Sequence, residues 1–150
     1  MTTLQIGDVA PAFNCLDESG NLISLDNYKG KKLVLFFYPK ASTPGCTVEA
    51  CNLSDNYSRF RDLGYDVLGV SADNAKRQSN FKEKYNLPYP LLADVDKTVI
   101  MTFGVWGPKK FMGKEYDGIH RTTFVIDEQG LIGDIILKVQ TKEHTAQILK

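Results

Sequence analysis

Apolar positions along the chain fall into short blocks whose period switches between two and about three and a half. Residues 13–25, "FNCLDESGNLISL", alternate apolar and polar on both sides of "DESG", which predicts a β-hairpin from Phe13 to Leu25. The block "KKLVLFFYP" is continuously apolar, the pattern of a strand buried on both faces, and it stops at Pro39. From Thr43 the spacing turns helical. Thr43 suits the N-cap, Pro44 the first helical position, and Val48, Cys51, Tyr57, Phe60 and Leu63 fall near one stripe before Gly64 closes the helix. "YDVLGVSAD" predicts the next strand, Asn74 to Tyr85 the next helix, "YPLLAD" a third strand, and "KTVIMTFGV" a short helix ended by Gly104. "GPKKFMGKEYDG" reads as an exposed loop. "RTTFVIDEQGLIGDIIL" is a strand, a turn at Asp127 to Gly130 and a second strand, and "KEHTAQILK" a brief terminal helix.

Strands alternating with helices and ending in a hairpin and a helix predict an α/β protein with a central mixed sheet flanked by helices. The order resembles a thioredoxin-like fold with an extra N-terminal β-hairpin. At 150 residues, without repeats, low-complexity tracts or a linker, one domain spanning residues 1–150 is expected. Lys and Arg balance Asp and Glu at 18 each, which argues against a partner recognised by bulk charge, so neither nucleic acid nor an anionic membrane is expected. "MTTLQIGDVAPAF" lacks the basic segment and apolar core of a secretory signal, and "LVLFFY" is too short to span a bilayer, so a cytoplasmic location is expected. In a reducing compartment, three cysteines do chemistry or fill core space more often than they staple a fold.

Two of the three stand in "KASTPGCTVEAC". Cys46 occupies the first turn of the predicted helix, where unpaired backbone N–H groups and the positive end of the helix dipole stabilise a thiolate, the nucleophilic form of cysteine. Thr43, Pro44 and Gly45 make a tight, close-approach turn at the C-terminal end of a strand, where open α/β sheets usually put their ligands. Cys46 is therefore read as reactive rather than as inert core filling. A cation beside it would stabilise charge on sulfur and on a departing oxygen. The arginines are Arg59, Arg61, Arg77 and Arg121. The first two lie at least thirteen residues along the same helix, roughly 20 Å away at ~1.5 Å per residue. Arg77 falls on the polar face of the next helix, so elimination favours Arg121, which opens the strand "RTTFVID". Thr43 has two compatible readings, N-cap and pocket hydroxyl. Pro39 either shields the pocket from water or merely ends its strand.

Cys51 lies five positions after Cys46. In an intact helix that spacing puts the Cα atoms ~8.6 Å apart, whereas a disulfide needs them within about 7 Å. A bond between them requires the helix to unwind locally. The following "NLSDNYS" is rich in Asn, Ser and Asp, weak helix formers whose side chains compete for backbone hydrogen bonds. Cys51 also has the simpler reading of a core residue. A sulfenic acid met by a second thiol to give a disulfide is the ordinary reversible step of thiol redox chemistry.

"PKASTPGC" with "TVEAC" behind it, and "RTTFVID" downstream, resembles the peroxiredoxins, and more narrowly the Q subfamily, the bacterioferritin comigratory proteins. "GDVAPAF" and "GVWGPKK" extend the resemblance from about residue 4 to the end of the chain. It implies a thiol peroxidase in which Cys46 is the peroxidatic cysteine, Thr43 and Arg121 bind and polarise the peroxide, and Pro39 shields the pocket. It makes Cys51 the resolving cysteine of the same chain and Glu49 a partner of the arginine, with Gly45 in a supporting role. It further implies a monomer that takes hydroperoxides and is recycled by thioredoxin or a similar dithiol. "KAST" departs from the acidic residues of this loop in the subfamily, which bears on reductase docking rather than on catalysis. Cys15 matches no family role and reads as a strand residue.

Two other classes compete. A redox sensor would be oxidised once and present its unwound helix to a partner, while a disulfide oxidoreductase is weakened by the absence of CxxC. Neither His120 nor His144 pairs with a cysteine in sequence, and His120 should face away from Arg121 along the strand. Scattered cysteines do not match a structural zinc spacing and no phosphate-binding glycine motif is present, so no metal and no cofactor is expected. Lys109, Lys110 and Lys114 read as a solvated cluster.

Overall fold

The apolar run becomes the central strand because both of its faces are covered. The computed structural model describes residues 1–150. Its strands are β1 (Asn14–Leu16), β2 (Leu22–Ser24), β3 (Lys32–Phe37), β4 (Tyr65–Ser71), β5 (Leu91–Ala93), β6 (Trp106–Phe111), β7 (Lys114–Ile119), β8 (Thr122–Ile126) and β9 (Ile132–Ile136). Its α-helices are α1 (Pro44–Asp55), α2 (Tyr57–Asp62), α3 (Ala75–Tyr85), α4 (Thr98–Thr102) and α5 (His144–Ile148). The main sheet has the order β5-β4-β3-β8-β9, parallel from β3 to β5 and antiparallel from β3 through β8 to β9. β1 and β2 form the expected N-terminal hairpin.

Leu33, Leu35 and Phe37 of β3 enter one core with Phe13, Val99, Ile100 and Phe103. Val34, Phe36 and Tyr38 enter another with Ala50, Leu53, Phe60, Phe81 and Ile148. The alternation of a strand thus feeds two apolar layers at once, which is why no polar residue interrupts it. The architecture is the mixed α/β sheet flanked by helices expected from the sequence, and its β3 ends where the chemistry begins.

Two local expectations are corrected. The stretch 107–118 is exposed at its tip, with Phe111 and Met112 in solvent, but it is no loop: β6 and β7 pair along their whole length. Met112 and Gly113 both have positive φ, the requirement of a two-residue hairpin turn. The helix expected from Thr43 to Gly64 is two helices, broken at Asn56, whose side-chain amide donates to the Asn52 carbonyl at 2.8 Å. The inward face of α1 also differs from the expected stripe. Cys46, Glu49, Ala50 and Leu53 face inward on α1, while Val48 and Leu63 are exposed and Cys51 is half-buried.

Candidate active site

Beyond β3 the chain passes half-buried Pro39 and turns through Ser42, which has a positive φ of 63°. The turn is tethered: the Ala41 amide donates to Asp73 Oδ2 at 2.7 Å, and the Ser71 hydroxyl at the end of β4 donates to the same oxygen at 2.7 Å. Thr43 has the extended backbone of an N-cap, yet its side chain makes no cap bond. Its hydroxyl donates instead to the Lys40 carbonyl at 2.7 Å, which leaves its lone pairs as hydrogen-bond acceptors. The N-cap reading of the Thr43 side chain is therefore corrected, because the left-handed Ser42 brings the Lys40 carbonyl within its reach.

Pro44 starts α1 and puts Cys46 in the first turn, 1 % exposed. Arg121, immediately before β8, closes the site from the other side. Its Nη2 donates to Cys46 Sγ at 3.4 Å and its Nη1 to Glu49 Oε1 at 2.7 Å. Glu49 and Cys46 sit three residues apart on one helix face, so a single guanidinium spans both. A β-carbon on Gly45 would lie 3.2 Å from Arg121 Nη2, so a residue without a side chain is what admits the cation. The remaining arginines are elsewhere: Arg61 pairs with Asp66 at 3.1 Å, Arg77 lies near Asp73 at 3.9 Å, and Arg59 projects from an exposed position on α2. His120 points the other way, its Nε2 3.0 Å from the Pro108 carbonyl.

Glu49 is fully buried, and burial pushes its carboxyl up to about 7 against the pull of Arg121. Burial and Asp55 raise the Cys51 thiol, so Cys51 is held as a thiol at neutral pH. Cys15 is pushed up to about 12 by burial, with Asp94 and Asp96 adding to it. All three cysteines are free. Cys46 and Cys51 both lie within the continuous helix α1, so the separation expected from their spacing applies and the helix must open before they can join.

Two residues at the site escaped the sequence reading. Lys109 is part-buried, its ammonium donating to the Ile119 carbonyl at 2.9 Å; burial and Arg121 lower its pKa, and Cys46 opposes them. It is thus separate from the solvated lysine cluster. A hairpin reading of residues 106–119, with alternate residues turned to either face, could have found it. His144 is wholly buried on α5, with Nε2 3.5 Å from Glu49 Oε2. Sequence offered no signal for it, since only the packing of α5 onto α1 brings the two together.

A cysteine at a helix start, presented by a thioredoxin-like sheet and held against an arginine, is an arrangement suited to thiol redox chemistry. Comparison with known proteins agrees. The AhpC/TSA family model matches residues 6–135. Peroxiredoxin Bcp of Escherichia coli K12 is 46% identical over 149 residues, covering 99% of this chain and 96% of that protein. Peroxiredoxin Bcp of Bacillus subtilis is 44% identical over 148 residues, covering 99% and 94%. Among solved structures, a cysteine variant of Xylella fastidiosa PrxQ superposes with a TM-score of 0.93 at 28% identity, covering 99% of this chain and 95% of that one. A cysteine variant of Xanthomonas campestris peroxiredoxin Q gives 0.88 at 32% identity, covering 99% and 94%. The chain belongs to the AhpC/TSA family and, within it, to the peroxiredoxins of the Q or bacterioferritin comigratory type, which are thiol peroxidases.

Proposed function

We propose that this chain reduces hydroperoxides through a two-cysteine cycle run by Cys46 and Cys51. The Cys46 thiolate attacks the outer oxygen of ROOH, the O–O bond breaks, and the departing alkoxide or hydroxide takes a proton to leave as an alcohol or water. Cys46 becomes a sulfenic acid. The helix around Cys51 then opens, the Cys51 thiol attacks the sulfenic sulfur, and water leaves as the disulfide forms. A thioredoxin-type dithiol reduces that bond, returning two thiols and becoming a disulfide itself.

The observation that carries this reading is the Arg121 guanidinium, fixed by Glu49 at 2.7 Å and aimed at Cys46 Sγ at 3.4 Å. A cation so placed stabilises charge as it moves from sulfur to the leaving oxygen, without having to reorganise. The Thr43 lone pairs are the acceptor for the peroxide hydrogen, and half-buried Pro39 shields the pocket. One solved relative, the Xanthomonas campestris bacterioferritin comigratory protein, is described in terms of its alkyl peroxide reduction activity, which supports organic hydroperoxides beside hydrogen peroxide as substrates. The proposed working form is a cytoplasmic monomer.

Cys46→Ser tests the assignment. It should abolish peroxide consumption in the presence of a thioredoxin system, whereas consumption at the wild-type rate would overturn it. The same assay separates enzyme from sensor, because an enzyme consumes many equivalents and a sensor one.

A further inference from the structure

Glu49 uses one carboxylate oxygen on Arg121, and its other oxygen, Oε2, is buried with no hydrogen-bond partner inside ordinary limits. What faces that orphan oxygen is His144 Nε2, at 3.5 Å, from helix α5. A fully buried acceptor without a donor is costly unless a proton is shared with it.

The imidazole is held so that this atom, and no other, meets Glu49. Nδ1 lies 2.8 Å from Gln147 Oε1. The Gln147 amide is itself fixed, since Oε1 also accepts from the Gln140 amide at 3.0 Å and Nε2 donates to the Lys138 carbonyl at 2.9 Å. Gln147 therefore presents an acceptor, and His144 Nδ1 carries the hydrogen. Nε2 also lies 2.7 Å from Thr123 Oγ1. A hydroxyl serves either state: it donates to a neutral imidazole and accepts from an imidazolium. Nε2 has a single site, so it serves Glu49 Oε2 when the Thr123 hydroxyl turns its own hydrogen away, with the proton on Oε2 or on Nε2.

We propose that His144 is a positioning residue of the peroxide site: its Nε2 shares a proton with Glu49 Oε2, locking the carboxylate so that Oε1 holds Arg121 against Cys46. The inference rests on the reading of Cys46 and Arg121 as the peroxide-reacting pair. Glu49 on α1 and Arg121 before β8 are the charged groups facing His144, Cys46 and Tyr89 face that pair in turn, and Lys142 and Glu143 before α5 are exposed. Burial raises the Glu49 carboxyl and, with Arg121, lowers the His144 imidazole, so both shifts favour the neutral pair with the proton on the carboxyl side.

The test compares His144→Gln, His144→Asn and His144→Phe for the single-turnover rate with hydrogen peroxide from pH 5 to 9, beside urea unfolding and a Cys46→Ser control. The Gln amide nitrogen stands near the position of Nε2, whereas Asn reaches only that of Nδ1. His144→Gln should retain most of the rate, while His144→Asn and His144→Phe lose about tenfold or more, an effect of the size seen when other second partners of reacting groups are removed. Those two variants should also change the shape of the pH profile, which a purely structural loss would not. Rates within twofold of wild type and an unchanged profile in all three would overturn the role of His144. Activity surviving in Cys46→Ser would instead overturn the underlying reading. Should the variants not fold, nitrogen NMR of His144 in the wild type and in Glu49→Gln decides. A displaced His144 titration in Glu49→Gln supports the shared proton, and an identical one refutes it.

Discussion

The guanidinium of Arg121 lies 3.4 Å from the sulfur of Cys46, although 75 positions separate them in the chain. The contact exists because β8 runs antiparallel beside β3, so the start of β8 meets the end of β3 at the same edge of the sheet from which α1 departs. Arg121→Lys keeps the charge but replaces a planar fork with a point that cannot hold Glu49 and face Cys46 together. The peroxide rate constant should fall by roughly a hundredfold or more, the usual effect of removing one preorganised donor, with unfolding little changed. Stopped-flow reaction with hydrogen peroxide measures it.

Gly45→Ala introduces a methyl group 3.2 Å from Arg121 Nη2. The guanidinium must retreat by a few tenths of an ångström, away from both sulfur and carboxylate. A rate loss of about tenfold is expected, since small displacements of a positioned group are amplified in the barrier. Circular dichroism should be unchanged, because alanine suits the first turn of a helix.

Glu49 titrates at about 7 in the folded protein, against an ordinary 4.5. Between those values the native chain holds a proton that the unfolded chain has released. Its contribution to stability is therefore complete below about pH 4.5 and lost as the pH rises through about 7. Glu49→Gln stays neutral throughout and should remove this loss, on the order of 3 kcal/mol, while lowering the peroxide rate. The depressed His144 contributes in the opposite sense, its share being lost as the pH falls. Urea unfolding at pH 5 and pH 8 checks both signs.

Asn52 latches α1 to the C-terminal segment right beside Cys51. Its side chain donates to the Lys142 carbonyl at 2.9 Å and accepts from the Thr145 amide at 2.8 Å. Opening the helix for a Cys46–Cys51 bond must break these bonds. Asn52→Ala should speed disulfide formation after peroxide addition and cost about 1 to 2 kcal/mol of stability. Rapid-quench alkylation follows the first effect and thermal unfolding the second.

The parts of this design that are local could be read in the chain. Cys46, Thr43 and Gly45 lie within one turn, and a continuous apolar strand before them fixes where the turn must be. Arg121 was reachable by elimination because the other arginines are tied to helix faces. Glu49 came only from the family resemblance, since a buried carboxylate on a helix looks polar, and counting it as polar hid the true inward face of Cys46, Glu49, Ala50 and Leu53. His144 was not legible at all, because its role depends on how α5 docks. The β6–β7 hairpin was missed for a different reason: most of its side chains are in water, so alternation leaves no apolar trace.

Reduced protein treated with one equivalent of hydrogen peroxide, quenched rapidly with an alkylating agent and mapped by mass spectrometry, tests the two-cysteine cycle most directly. The account predicts a Cys46–Cys51 disulfide with Cys15 still alkylated. A sulfenic acid on Cys46 with Cys51 alkylated would contradict the pairing, and oxidation that spares Cys46 would contradict the site.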